Sequence, residues 1–350
     1  MPFFLLVPLR IPRPCAAEYP CAIIVFVDIV TVSHGPVPSD GIHDEMRMMN
    51  CELKKNLPGL IVIEGTNASG KSSLGVELAG RFGGEIVSAD SRQVFRRLDL
   101  GSGKITPEEM KGVPHHLLDV RDPGEFFSMA DFQRLAYDAI DGILSRSRLP
   151  FLVGGTGLYV DAVADGYELS EKAPDHSLRA RLETFETPEL YEMLKKKLPD
   201  TDIDPRNRHR VMRALERLEA DDWHPAAKSP RFELLKLGVT WPREILKQRI
   251  DERLEARLQA GMVEEVKALL EEGVSEEFMV KLGLEYKYLT WYLTGKIGYA
   301  QMKEELGNAI KKFAKRQMTW FRRDPRIHWL DMSKDPAAEA AGLIEAFLAQ

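Results

Sequence analysis

Cysteine is scarce in this chain of 350 residues: Cys15, Cys21 and Cys51 are its only three. An odd number at irregular spacing builds neither a disulfide framework nor a zinc site, and points to a reducing compartment such as the cytoplasm. Long apolar runs are also missing. Ala22–Val30 is apolar for only nine residues and contains Asp28, whereas a membrane-spanning helix needs about twenty. Phe3–Leu6 is too short for the apolar part of a secretory signal, and Pro12 and Pro14 interrupt the residues after it. No membrane partner is therefore expected. There is no excess of positive charge: 48 Lys and Arg against 54 Asp and Glu leave a net charge of −6. A nucleic-acid partner would have to meet a local basic surface rather than a global field. Repeats and low-complexity tracts are absent. What is present is ordinary globular composition, 44% apolar and 29% charged, in a chain long enough for about two domains.

Residues 1–56 do not share the pattern of the rest. They read as an ill-ordered extension or as translation from a start upstream of the working one, with Met46, Met48 and Met49 as natural alternative starts. From Pro58 the pattern becomes α/β. Leu60-Ile61-Val62-Ile63 is an apolar run of strand length, and Leu74, Leu78 and Phe82 recur at helical spacing. Between them lies Gly65-Thr66-Asn67-Ala68-Ser69-Gly70-Lys71-Ser72, which fits G-x-x-x-x-G-K-[ST]. Strand, Gly-rich loop and helix together are the context of a phosphate-binding P-loop. Glycines let backbone N–H groups curl inward around an anion, and the helix N-terminus adds its positive dipole end. Lys71 adds a mobile charge, and the Ser72 hydroxyl can ligate a Mg²⁺ riding on the phosphates. Read alone, the motif says nucleoside triphosphate. It leaves the reaction open.

A second strand, Glu85-Ile86-Val87-Ser88, leads into Ala89-Asp90-Ser91-Arg92-Gln93. A carboxylate just past the C-terminal end of a strand in such a sheet faces the ligand crevice. Asp90 is thus a candidate general base or metal partner, and equally a candidate helix cap. Leu100-Gly101-Ser102-Gly103-Lys104 imitates a P-loop at the wrong spacing. His115 and His116 are adjacent, so their rings point apart, and buried, hydrogen-bonded rings are expected rather than a shared metal. Met129, Phe132, Ala136, Ile140 and Leu144 form a core-facing helical stripe. Phe151-Leu152-Val153 is another buried strand. It ends in Gly154-Gly155-Thr156-Gly157, a turn suited either to close ligand approach or to tight packing.

From about residue 166 to 220 strand signals vanish. Helical segments Ser177–Phe185, Pro188–Lys197 and Arg208–Leu218 form an apparent insertion. Arg206, Arg210, Arg213 and Arg217 share one helical face, and the nearby acids Asp204, Glu216 and Glu219 are read as flanking it. This is a stripe suited to RNA phosphates, or a solvated helix face. Phe232–Val239 returns as a strand, and Trp241-Pro242 opens a charged helix carrying Arg249 and Arg253 on one face. Near the end, Lys311, Lys312, Lys315, Arg316, Arg322, Arg323 and Arg326 interleave with Phe313, Trp320 and Phe321. Such a mixture suits RNA contact, or a helix with aromatics inward and bases outward. Ile327-His328-Trp329-Leu330 reads as a last strand and Pro336–Leu348 as a terminal helix.

The ordered set Gly65–Ser72, Ser88–Phe95, Gly154–Tyr159, Arg213–Glu216, Arg249–Arg253 and Lys315–Arg322 resembles the tRNA dimethylallyltransferases, from about Leu60 to Asp331. The resemblance implies an α/β fold: a P-loop NTPase-like parallel sheet flanked by helices, with a helical insertion domain. It divides the chain into an extension outside the family (1–56), a first core part (57–165), a tRNA-binding insertion (166–220) and a second core part (221–350). The implied reaction moves a dimethylallyl group from dimethylallyl diphosphate, with Mg²⁺, to the N6 amine of the adenosine 3′ to the anticodon. The implied substrates are tRNAs reading codons that start with U, bound by the anticodon arm, and the protein is expected to be a cytoplasmic monomer. Asp90 matches the family's base, Lys71 and Arg253 its diphosphate stabilisers, and Thr156 a residue near the target nucleotide. Asp90, Ser91, Arg92, Gln93, Thr156, Arg179, His209, Arg210, Arg213, Tyr286 and Lys287 match tRNA-contacting positions. Departures are visible. Thr66-Asn67 stands where Pro-Thr is usual, the insertion is several residues short, and Glu285 stands where glycine precedes the Tyr-(Lys/Arg) pair. The zinc finger of eukaryotic members is missing. The other readings are an isopentenyltransferase acting on free adenylate, a P-loop kinase or NTPase, and a non-catalytic RNA-binding protein.

Overall fold

The computed structural model describes residues 57–169, 175–223 and 227–350; the extension 1–56, with its cysteines and candidate start methionines, lies outside the described residues. The elements are given in chain order. β1 (Gly59–Gly65), α1 (Lys71–Arg81), β2 (Glu85–Ala89), α2 (Pro107–Met110), β3 (His115–His116), α3 (Met129–Ser145), β4 (Pro150–Gly154) and α4 (Gly157–Ala164) come first. Three helices without strands come next: α5 (His176–Glu183), α6 (Thr187–Lys197) and α7 (Arg208–Glu219). The chain then forms β5 (Glu233–Thr240), α8 (Arg243–Gln259), α9 (Met262–Glu271), α10 (Glu276–Leu282), α11 (Leu284–Leu293), α12 (Tyr299–Phe321), β6 (Ile327–Asp331) and α13 (Pro336–Leu348).

The six strands form one sheet in the order β3-β2-β4-β1-β5-β6, every neighbouring pair parallel. Parallel sheets are covered on both faces, so their strands are apolar without alternation. β1 shows why. Ile61 and Ile63 pack with Leu74, Leu78 and Ile344 on one face, while Leu60 and Val62 pack with Phe132, Ile140 and Val160 on the other. The P-loop therefore leaves the middle of the sheet at the carboxyl ends of its strands, where parallel α/β sheets open a crevice.

Two further cores position the site. Val94, Phe95 and Leu98, just after β2, pack with Ile250, Leu254, Met262, Leu289 and Leu306. That cluster pulls α8 to α12 against the crevice. Helices α5 to α7 close on their own core of Leu178, Leu182, Leu190, Leu194, Val211 and Leu215. Two local expectations are adjusted. In α3 the stripe ends on buried Ile143, with Leu144 only partly covered, because 3.6 residues per turn drift from a strict four-residue repeat. Pro242 is the cap before α8 rather than its first helical residue. His115 and His116 are half-buried and separately bonded, to the Val113 carbonyl at 2.8 Å and to Glu85 Oε2 at 2.7 Å.

One buried charge cluster bridges the sheet and its helices. Lys236 Nζ on β5 lies 3.3 Å from Glu64 Oε1 on β1, 3.7 Å from Asp161 and 2.7 Å from Asp324. Burial pushes the Glu64 carboxyl from 4.5 up to about 7, although Lys236 pulls it down. The folded state thus keeps a proton that the unfolded chain has released between pH 4.5 and 7. Glu64 contributes stability at the acid end of that window and loses it as pH rises through it. Glu64→Gln is expected to flatten the pH dependence of urea unfolding across this range by roughly 3 kcal/mol. An unaltered slope would remove Glu64 as its source.

Candidate active site

The P-loop between β1 and α1 is turned by backbone in the left-handed region, with Ala68 at φ 59° and Gly70 at φ 89°. Gly70 is the cap residue of α1, and any side chain there would strain the turn. Neighbouring side chains hold the loop from outside. The Trp241 indole donates to the Ser69 carbonyl at 2.9 Å. Arg249 Nε donates to the Ala68 carbonyl at 3.0 Å, and its guanidinium lies 4.6 Å from the centre of the Trp241 ring. The Asn67 N–H donates to Gln317 Oε1 at 3.0 Å, and Gln317 Nε2 donates to the Gly155 carbonyl at 2.8 Å. Gln317 of α12 thereby ties the P-loop to the turn after β4. The N–H groups at the start of α1 have no intrahelical acceptors and make an anion site.

Two cavities share Ala68, Lys71, Ser72, Gly103 and Arg253 as walls. One has a volume of about 510 Å³. The other, about 50 Å³, also reaches Asp90, Arg257 and Glu285. Burial pushes the Lys71 ammonium from 10.5 down to about 8, and Arg253 pushes it the same way, while Asp90 opposes both. Arg253 is lowered from 12.5 to about 10 by burial and by Arg257, against Glu285 and Asp90. It stays charged near neutral pH. Gly103, at φ 63°, is the point of closest approach. A β-carbon there would lie 1.4 Å from Arg257 Nη2 and 2.5 Å from Arg253 Nη2, so the two guanidinium ends are at most about 4 Å apart. Like charges at that distance repel by ~4 kcal/mol at an effective dielectric of about 20. The cavity wall thus concentrates positive charge from Lys71, Arg253 and Arg257, with Asp90 and Glu285 as the carboxylates beside it.

Asp90 lies just past β2, where a turn follows rather than the helix that a capping role would suggest. Its Oδ1 accepts the Arg92 N–H at 2.9 Å and the Gln93 N–H at 3.4 Å, so it does cap the turn after β2. The same carboxylate lines the tight cavity with Lys71 and Arg253. Thr156 braces that turn: its N–H donates to the Ala89 carbonyl at 3.3 Å, and its Oγ1 accepts the Ser91 N–H at 3.2 Å. Tight packing accounts for two glycines of the Gly154–Gly157 turn. A β-carbon at Gly154 would lie 2.1 Å from the Ala89 carbonyl oxygen, and one at Gly157 would lie 2.4 Å from Trp320, so these two are packing glycines. Gly155 instead faces Lys71 Nζ and Gln317.

Several residues read as tRNA contacts are occupied inside the protein. Tyr286 is a correction: it is fully buried and donates its hydroxyl to Glu265 at 3.2 Å, because α11 turns it into the helical core. Lys287, next to it, lies over the Trp291 ring at 4.4 Å. The arginine stripe is a second correction, since two of its acids, Asp204 and Glu216, pair with it, while Glu219 pairs with Lys197. Arg179 and Arg213 both donate to buried Glu216, at 2.7 and 3.1 Å. Arg206 pairs with Asp204, and Arg217 donates to the Asp222 carbonyl. His209 and Arg210 are exposed, and Arg210 has no carboxylate within ion-pair distance among the described residues. Arg92 donates to the Leu282 carbonyl and lies over Phe313. Gln93 Nε2 donates to the Gly103 carbonyl at 3.2 Å, and Ser91 contacts Thr156. On α12 the aromatics turn inward: Phe321 is buried and Trp320 donates to Asp161 at 2.9 Å, while Lys312, Lys315, Arg316, Arg322 and Arg323 are exposed.

Gln317, which braces the P-loop, and Arg257 and Glu285, which line the tight cavity, are not among the expected site residues. Arg257 carries a signal, since it continues the four-residue spacing of Arg249 and Arg253. In the misspaced imitation of a P-loop, Lys104 is engaged by Asp99 and Asp119, both at 2.6 Å. Its neighbour Gly103 nevertheless forms a wall of the cavity.

A parallel α/β sheet with a P-loop leaving an inner strand, cationic side chains over that loop and a carboxylate just past β2 defines a protein of the P-loop type. A family model described as IPP transferase matches residues 93–324. The chain is 43% identical over 291 residues to "tRNA dimethylallyltransferase 1" of Geotalea uraniireducens, covering 81% of this chain and 96% of the relative. It is 44% identical over 291 residues to the protein of the same name from Geotalea daltonii, covering 81% and 94%. Among solved structures, the full-length tRNA isopentenylpyrophosphate transferase from Bacillus halodurans matches with a TM-score of 0.65 and 38% identity over 82% of this chain and 96% of that one. A eukaryotic dimethylallyltransferase described as acting on tRNA matches with a TM-score of 0.73 and 27% identity, over 83% and 80%. The chain belongs to the IPP transferase family.

Proposed function

We propose that this protein transfers a dimethylallyl group from dimethylallyl diphosphate to the exocyclic N6 amine of the adenosine 3′ to the anticodon, in tRNAs reading codons that start with U. The observation that carries this reading is one tight cavity walled by the P-loop lysine Lys71, by Arg253 and by Asp90. A cradle for a leaving diphosphate and a proton acceptor for the incoming amine thus share one small space. As the allylic carbon–oxygen bond breaks, its electron pair goes to the diphosphate, whose charge is met by Lys71, Arg253 and the N–H groups of the loop. The amine nitrogen forms the new bond to that carbon, and its proton passes to Asp90. Thr156 keeps the turn under Asp90 in place. The target base must leave its stack to enter, at a cost of a few kcal/mol that is smallest in a loop.

The donor set fits Mg²⁺. Ser72, whose hydroxyl is a hard oxygen donor, lines both cavities beside Lys71, and hard oxygen donors with substrate phosphates are what Mg²⁺ prefers. Among the described residues no cluster of three His, Cys, Asp or Glu could bind a metal unaided, so the diphosphate itself would complete the coordination. When bound, the ion supplies additional charge neutralisation.

The test is to incubate the protein with dimethylallyl diphosphate, Mg²⁺ and either unmodified tRNA or AMP, and to detect prenylated adenosine by mass spectrometry. Prenylated AMP without prenylated tRNA would overturn the tRNA assignment in favour of a free adenylate acceptor. ATP hydrolysis without prenyl transfer would overturn the prenyltransferase reading. Since its neighbours on the stripe are ion-paired, Arg210 is the one expected to meet RNA phosphate. Arg210→Ala should weaken tRNA binding across all sequences and reduce the salt slope by about one. An unchanged slope would take Arg210 out of the interface.

A further inference from the structure

We propose that Arg257, held by the buried carboxylate of Glu285, is a second arginine of the diphosphate subsite; this rests on reading the cavity as a prenyl-diphosphate site. Arg249, Arg253 and Arg257 lie on one face of α8, but they are spent differently. Arg249 is committed to the loop, through the Ala68 carbonyl and Trp241. Arg257 meets Arg253 beside Gly103, their Nη2 ends at most about 4 Å apart, and lines the same tight cavity as Lys71 and Ser72. Its side chain is 15% exposed, and its one ion pair among the described residues is with Glu285, at 3.6 Å. That distance leaves its donor fork open. Glu285 is 6% exposed and stands where the resemblance expects glycine. An acid beside an anion site would oppose binding on its own. Paired with an extra arginine it becomes a counter-charge, which keeps Arg257 folded into the cavity while the subsite is empty. Two guanidinium forks meeting end to end suit phosphate oxygens, which each can grip with paired N–H donors. Arg257 would then neutralise charge on the diphosphate as it departs.

The test measures binding of inorganic diphosphate with Mg²⁺ by calorimetry, alongside KM for the prenyl donor and tRNA affinity. Arg257→Met is expected to weaken diphosphate binding about tenfold to a hundredfold and to raise the donor KM in step, with tRNA affinity unchanged. It leaves Glu285 unbalanced beside the anion, so adding Glu285→Gln to Arg257→Met should recover about threefold or more of the lost affinity. A purely structural pair would instead lose further stability and recover nothing. Arg257→Lys, which keeps the charge and loses the fork, should weaken binding severalfold and carries the test if the Met variant does not fold. Diphosphate affinity equal to wild type in these Arg257 variants overturns the proposal, as does a double variant that binds no tighter than Arg257→Met. A wild-type protein that binds no diphosphate overturns the active-site reading and this inference together.

Discussion

Asp90→Asn is expected to lower kcat roughly 10²–10⁴-fold, the usual contribution of a positioned general base, while tRNA affinity and thermal stability stay close to wild type. Asparagine is the informative replacement because the proposed mechanism gives Asp90 a second task besides capping. Its Oδ1 accepts two backbone N–H bonds that shape the turn after β2, and an amide oxygen can still accept them. What asparagine cannot do is take a proton from the attacking amine. Alanine would remove cap and base together and confuse the two losses. Single-turnover transfer, a tRNA-binding isotherm and a melting curve separate them. A normal transfer rate in Asp90→Asn would remove Asp90 as the base and leave it as a cap.

Lys71→Met should reduce kcat/KM for the prenyl donor by about 10²–10³, the range seen when a pre-organised group facing developing negative charge is removed. The pH profile adds a test that a folding defect would not imitate. Burial lowers Lys71 to about 8, so the free wild-type enzyme loses this charge as pH rises through that value. Because kcat/KM reports groups of the free enzyme, it should fall about tenfold per pH unit above roughly pH 8. Lys71→Met has no such charge to lose, and that alkaline limb should vanish. Persistence of the limb in the variant would assign it to another group.

Local pattern makes much of the architecture legible. β1, the P-loop and α1 are contiguous, and their apolar run, glycines and helical spacing are each set by neighbours a few residues away. The same holds for Asp90 at the end of β2 and for the strand, Gly-rich turn and helix around Thr156. What fails is inference about which way a side chain faces once helices pack. Tyr286 reads as available to RNA, yet α11 carries it into a core with Glu265. Arg179 and Arg213 read as phosphate contacts, yet both turn to Glu216, which is far from Arg179 in sequence. Helical spacing reports a face but not what is packed against it.

The P-loop stretch Gly65–Ser72 illustrates the division. Its capacity to cradle an anion is written in eight consecutive residues, because backbone conformation and helix polarity are local properties. Which charges surround that anion is not local. Arg253 and Arg257 arrive from α8, Glu285 from α11 and Gln317 from α12, all brought in by the hydrophobic cluster around Val94, Phe95 and Leu98. Helical spacing makes Arg253 and Arg257 neighbours on α8, but only long-range packing set that face over the P-loop and placed the buried Glu285 beside it. The electrostatic meaning of that pair depends on its distances to Lys71, Asp90 and Glu285, which come from other elements and which no spacing along the chain encodes.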